Sequence, residues 1–178
     1  TTEIYTLSLH DALPIFARHI KKNIKTNNLI CVAPDVGGVE RARALSRRIN
    51  VGIAIIDKRR PTPGKSEVMN IVGNVKHKIC VIVDDIIDSG GTIVNAAKAL
   101  KDKGAKEIYV YITHAVLSGS AVDKIQESQI KKLIITDTID NSKKIKISKK
   151  IEVISFAPMI SEAIKRISNS TSVSSLFK

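Results

Sequence analysis

The 178-residue chain has room for one α/β domain with a full core and is cramped for two, and its 43% hydrophobic content agrees. A formal charge of +12 invites a nucleic-acid reading, but aromatics are only 3% and tryptophan is absent, so base-stacking platforms are poorly supplied and nucleic acid is not the expected partner. No apolar run approaches the roughly 18 residues of a membrane span, and the N-terminus lacks a basic region leading into an apolar core; the expected setting is cytoplasmic, with the charge shared between anionic small substrates and solvated lysines.

In chain order, Thr1 to Ile15 shows no convincing period and stops at Leu13-Pro14-Ile15, so no secondary structure is expected there. Ile15 to Lys25 then predicts an amphipathic helix through Phe16, His19, Ile20 and Ile24. His19 reads as a packed or surface histidine, since no second metal-type residue stands at helical spacing from it. Leu29 to Ala33 predicts a short buried strand, followed by Pro34-Asp35-Val36-Gly37-Gly38 and a helix whose Val39, Ala42, Leu45 and Ile49 face inward. Gly52 to Asp57 is the next strand, running into Lys58-Arg59-Arg60-Pro61-Thr62-Pro63-Gly64-Lys65. Prolines and glycine exclude helix there and the cations have nothing to bury, so a mobile, exposed loop is expected. Val68 to Val75 offers a short extended segment.

Lys78 to Val83 predicts a central strand, and Ile93, Ala96, Ala97 and Leu100 predict the helix directly after it. Between them lie Asp84-Asp85-Ile86-Ile87-Asp88-Ser89-Gly90-Gly91-Thr92. Gly90 and Gly91 let the backbone curl tightly, and the open amides at the start of a helix suit a phosphate. Asp84 and Asp85, at the strand's carboxyl end, can accept hydrogen bonds from vicinal hydroxyls. A ribose 5-phosphate has both features. In a parallel sheet the turn after Ala33 opens on the same edge, which puts Asp35 at the pocket and lets the Gly37 and Gly38 amides take a second phosphate group. The basic loop, anchored at that edge, could place cations on charge that develops during transfer.

Glu107 to Thr113 reads as a further strand leading to His114, a candidate on the ligand edge, and then to a helix carrying Ala121, Val122 and Ile125. Lys132 to Thr136 and Glu152 to Ser155 read as strands, Asp137 to Asp140 as a turn, and Asn141 to Lys150 as a solvated lysine-rich loop or hairpin with anion binding as the alternative. Pro158 opens a last helix expected to bury Ile160, Ala163, Ile164 and Ile167. Cys31 and Cys80 fall in buried strands without the spacing of a metal or redox motif and read as inert core thiols of a reducing compartment.

The run of apolar residues broken by Asp84-Asp85 and closed by Asp88-Ser89-Gly90-Gly91-Thr92 resembles the phosphoribosyl-pyrophosphate (PRPP) signature. Pro34 to Arg43, Ile55 to Pro61, Glu67 to Gly73, Thr113 to Gly119 and the Ser172 to Phe177 end match in order those of ribose-phosphate pyrophosphokinases, the PRPP synthetases, over about Phe16 to Lys178. The resemblance implies a phosphoribosyltransferase-like fold, a mostly parallel sheet flanked by helices. It further implies transfer of pyrophosphate from ATP to ribose 5-phosphate, giving PRPP and AMP, with Mg²⁺ as cofactor and a homo-oligomeric full-length enzyme. By the same resemblance Asp84, Asp85, Asp88, Ser89, Gly90, Gly91 and Thr92 hold ribose 5-phosphate, Gly37 and Gly38 line a pyrophosphate loop, Asp35 binds metal, and Lys58 and Arg60 are catalytic. A nucleobase phosphoribosyltransferase shares the central signature, and a non-catalytic regulatory homologue is the third reading.

Residues 16–178 are thus expected to form the C-terminal lobe of such an enzyme. The family's N-terminal lobe, with its ATP-binding loop and metal-binding histidine, has no counterpart here, and residues 1–15, which resemble translated sequencing-adapter read-through, are set apart as a non-family segment. The expectation is an ATP-site-deficient fragment that does not make PRPP alone.

Overall fold

The structure, a computed structural model, describes residues 12–59, 68–173 and 176. Its sheet comprises seven strands, β1 (Leu29–Ala33), β2 (Gly52–Arg59), β3 (Val68–Val72), β4 (Ile79–Ile87), β5 (Glu107–Ala115), β6 (Lys132–Thr136) and β7 (Ile151–Ile154), in the order β3-β2-β1-β4-β5-β6-β7. All pairings are parallel except β2 with β3. Five helices accompany it: α1 (Leu13–Asn23), α2 (Val39–Ile49), α3 (Gly91–Asp102), α4 (Ala121–Glu127) and α5 (Ala157–Ser168). The α/β class and the mostly parallel sheet match the expectation.

Strand side chains alternate between the faces, and the two cores follow from that alternation. Ile30 and Val32 of β1 join Cys80, Ile82, Ile93, Ala96, Leu100 and Ile125 under α3 and α4, while Leu29, Cys31 and Ala33 join Phe16, Ile20, Leu45, Val81, Val83 and Tyr111 under α1 and α2. Sheets buried on both faces read as continuous apolar runs rather than as alternation, which is how β1 and β6 are recognisable in sequence. Burial pushes both the Cys31 and the Cys80 thiol up to about 12, so neither supplies a thiolate at neutral pH.

Several boundaries differ from expectation. Helix α1 begins at Leu13, with Pro14 in its first turn where a missing N–H costs nothing, so the Leu-Pro-Ile step starts a helix instead of ending a segment. Strand β2 runs on through Lys58 and Arg59, which pair with Met69 and Val68 of β3, so these residues belong to a hairpin strand and not to a loop. Strand β4 continues four residues beyond Val83, because its ladder with β5 persists to Ile86↔His114 and Ile87↔Ala115. The lysine-rich stretch contains a 3₁₀ turn at Ile145–Ile147 and is tied down: Asn141 donates to the Ala115 carbonyl, and Lys144 donates to the carbonyls of Val116 and Leu117. Helix α5 forms as expected but buries none of its residues fully, and Ile164 and Ile167 are 61% and 68% exposed.

The strand order places the ligand edge. From β1 the chain moves outward to β2 and β3, then returns to β4 beside β1 and continues in the other direction to β5, β6 and β7. The turns leaving β1 and β4 therefore diverge to opposite faces and leave a crevice between them, the usual ligand position in open α/β sheets.

Candidate functional site

A cleft of about 530 Å³ occupies that switch point. Asp35, Gly37, Gly38 and Arg41 line it from the β1–α2 side, and Asp84, Asp85 and Ile86 to Ile93 line it from the β4–α3 side. Ten of the sequence candidates, all except Lys58, Arg60 and His114, are thus brought to one cavity. The backbone of Lys58 stands near the carboxyl end of β2, next to β1 on the same edge. Arg60 lies outside the described residues. His114 donates to or accepts from Thr138 Oγ1 through Nδ1 at 3.0 Å and is not among the residues lining the cleft.

On the β4–α3 side, Gly90 adopts φ +77, a left-handed conformation that side chains with a Cβ resist, and it turns the chain directly into α3. The first α3 bond of this turn is Val94 N–H to the Gly90 carbonyl. The N–H groups of Ser89, Gly90, Gly91 and Thr92 donate no hydrogen bond within the described residues, and they sit at the positive end of a 12-residue helix. The turn is held from behind: Ser118 N–H donates to the Asp88 carbonyl, and the Lys124 ammonium, 3.4 Å from the Ser89 carbonyl, adds a cation from α4.

The β1–α2 side is arranged differently. Asp35 Oδ1 accepts the Gly38 N–H at 2.9 Å, and the Val39 N–H donates to the Val36 carbonyl. The Gly38 amide, expected to grip a phosphate, is therefore already engaged by Asp35.

Asp84 and Asp85 share a partner that sequence reasoning passed over. Arg41, in the first turn of α2, donates from Nη1 to Asp84 Oδ1 at 2.6 Å and from Nη2 to Asp85 Oδ2 at 2.9 Å. The available signal was spacing: Arg41 precedes the buried Leu45 by one helical turn and so lies on the inward side of α2. Asp85 N–H also donates to Asp84 Oδ1, and Ile86 N–H donates to Asp85 Oδ1. Burial pushes the Asp84 carboxyl up to about 6, against the opposing pull of the Asp85 backbone N–H and the Arg41 charge.

Residues 59–178 match the family described as phosphoribosyl synthetase-associated domain. The chain belongs to that family. Ribose-phosphate pyrophosphokinases of Agrobacterium fabrum and Rhizobium meliloti are each 52% identical to it over 166 residues, which cover 93% of this chain and 54% of theirs. The crystal structure of phosphoribosylpyrophosphate synthetase from Mycobacterium smegmatis superposes with a TM-score of 0.80 at 31% identity, over 89% of this chain and 51% of that one. A purine phosphoribosyltransferase from Pyrococcus horikoshii shares the fold, with a TM-score of 0.53 at 20% identity. The chain spans about half the length of the curated relatives it matches.

No group of three or more His, Cys, Asp or Glu side chains among the described residues could cage a metal ion. Mg²⁺ commonly keeps several waters and takes one or two carboxylates together with phosphate oxygens. Asp35 is the carboxylate of the β1–α2 side that fits this use, as among the described residues its Oδ1 is bonded only to the Gly38 amide and the residue faces the cleft. No helix of the described residues is long and apolar enough to cross a membrane.

Proposed function

We propose that this domain binds ribose 5-phosphate in the cleft between β1 and β4, and that within a complete subunit it serves the transfer of pyrophosphate from ATP to that sugar, giving PRPP and AMP. One observation carries the reading: four unspent backbone amides at the start of α3 and a pair of carboxylates on β4 open into the same cavity. Phosphate on a helix start and hydroxyls on carboxylates are each ordinary recognition, and a five-carbon sugar phosphate presents them at opposite ends of a small molecule.

In this reading the 5-phosphate rests on the Ser89 to Thr92 amides with the Ser89 and Thr92 hydroxyls and Asp88 beside it. Asp84 and Asp85 accept the vicinal ribose hydroxyls. The 1-hydroxyl then faces the β1–α2 turn, where Gly37 and Gly38 leave room for a phosphate group to approach the backbone. Mg²⁺, held by Asp35 and phosphate oxygens, would neutralise charge on the donor. Lys58, at the end of the neighbouring strand, and Arg60, just beyond it, supply cations. Such transfer asks the protein mainly for alignment and charge neutralisation, and every residue named here performs one of these.

The 178 residues alone are proposed to bind the sugar phosphate without turning it over, since they span about half of the pyrophosphokinases they match and losing the alignment of donor and acceptor forfeits many orders of magnitude in rate. The test is an assay with ATP, Mg²⁺ and ribose 5-phosphate on this chain and on a chain completed with the remaining half of such an enzyme. PRPP and AMP from the completed chain only is the expected result. PRPP from the 178 residues alone would overturn the division of labour, and consumption of PRPP that depends on an added nucleobase would favour a phosphoribosyltransferase.

A further inference from the structure

Arg41 reaches across the cleft from the side that carries no part of the proposed sugar site. Its guanidinium spans both carboxylates of β4, one through each terminal nitrogen. The side chain is only 12% exposed, and its Nε is buried without a hydrogen-bond partner among the described residues. A group so placed is not a solvated surface charge. An arginine buried against two acids is fixed by the fork geometry of its five donors, in a way that a lysine cannot reproduce.

The consequences for the acids can be followed atom by atom. Asp84 Oδ1 is taken twice, by Arg41 and by the Asp85 N–H, and each Asp85 oxygen is taken once, by Arg41 and by the Ile86 N–H. Asp84 Oδ2 is left without a protein partner among the described residues, and so are the second lone pairs of both Asp85 oxygens. Two adjacent carboxylates without Arg41 would repel each other and rotate apart. With it, their remaining acceptor sites are held in one fixed arrangement before any ligand arrives.

We propose that Arg41 is a positioning residue of this cleft: by bridging Asp84 and Asp85 from the first turn of α2, it fixes the acceptor sites that take the ribose hydroxyls. It thereby links the turn after β1 to the turn after β4, so that a shift of α2 moves the acids. The inference rests on the ribose 5-phosphate reading and adds to it the residue that sets sugar specificity. The hydrogen bonds of Arg41 go to Asp84 and Asp85 and not to the Ser89 to Thr92 turn that forms the phosphate cup.

The experiment compares ribose 5-phosphate with 2-deoxyribose 5-phosphate by calorimetry on the 178-residue chain. The parent chain is expected to bind the ribose compound at least tenfold more tightly, and Arg41→Met to bring that ratio close to one while the deoxy compound, held mainly by its phosphate, changes by less than threefold. A merely structural role would weaken both ligands together and leave the ratio alone. An unchanged ratio in Arg41→Met overturns the inference while leaving the ribose 5-phosphate site standing. No discrimination by the parent chain overturns the assignment of the hydroxyls to Asp84 and Asp85, and the inference with it. If Arg41→Met does not fold, Arg41→Lys decides: it keeps the charge and loses the fork, so a ratio reduced at least threefold supports the proposal and an intact ratio rejects it.

Discussion

The turns after β1 and after β4 are built from the same sequence logic, an apolar strand, an acid, two glycines and an amphipathic helix, yet they leave their backbone amides in different states. In the first, Gly38 and Val39 N–H groups are consumed by Asp35 Oδ1 and by the Val36 carbonyl. In the second, the N–H groups from Ser89 to Thr92 are unspent and Gly90 sits at φ +77. The second is a ready anion cup, while the first is a braced wall that presents a carboxylate. A glycine pair thus marks a tight turn but does not say which amides the turn leaves open. Asp35, three residues before Gly38, folds back onto it, whereas Asp88, at the same spacing before Gly91, makes no such bond among the described residues.

The division into donor side and acceptor side can be broken most sharply at Lys58. In a completed subunit, Lys58→Ala is expected to lower turnover by about a hundredfold, the scale of one lost transition-state contact, with ribose 5-phosphate affinity unchanged. Steady-state rates paired with calorimetry read both quantities, and a parallel loss of affinity would mean that Lys58 serves the sugar site instead. Next in size is the contrast between the glycines. Gly90→Val forces a β-branched residue into the left-handed region, at a cost of at least about 1–2 kcal/mol, and should weaken ribose 5-phosphate binding at least tenfold. Gly37→Ala meets only the Asp35 Oδ1 at 3.3 Å, so thermal unfolding should shift little and sugar-phosphate affinity should stay within threefold.

A smaller effect concerns pH. The Asp84 carboxyl is pushed up from 3.8 to about 6 by burial, so between these values the folded chain holds a proton that the unfolded chain has released. Stability from this group is therefore greatest below about pH 4 and declines as pH rises through about 6. Asp84→Asn should remove that decline, and the difference between the two chains in denaturant unfolding at pH 4, 5, 6 and 7 measures it. A difference that grows in the opposite direction would mean that Arg41 outweighs burial. The smallest effect belongs to α5. Replacing Ile164 and Ile167, both well exposed, by Lys and Gln should alter stability by no more than about 0.5 kcal/mol per site, while reducing self-association seen by light scattering, since an uncovered apolar stripe marks a contact surface.

What was legible in sequence depended on whether the cause was local. Leu29–Ala33 and Lys132–Thr136 are short apolar runs with polar neighbours, and both strands begin and end where that pattern does. The extension of β4 through two aspartates was hidden, because acids end a core segment by composition while the ladder to β5 continues by backbone pairing alone. Lys58 and Arg59 looked like loop because their partner strand, β3, lies beyond a proline-rich stretch. The isoleucine stripe of α5 reads correctly as an apolar face, yet periodicity carries no information on what covers it. At the site, residue types and their common edge were readable from the strand–turn–helix pattern. The bridge from Arg41 was not, as it depends on α2 and β4 meeting across a separation of 43 positions.

The central claim, that the turn after β4 is the phosphate cup and the turn after β1 is not, is tested most directly by following backbone amide resonances during titration with ribose 5-phosphate. The account predicts large, saturable shifts at Ser89, Gly90, Gly91 and Thr92, with Gly38 and Val39 little changed. Saturable shifts centred on Gly37 to Val39, or on the lysines of residues 143–150, with Ser89 to Thr92 unmoved, would contradict it.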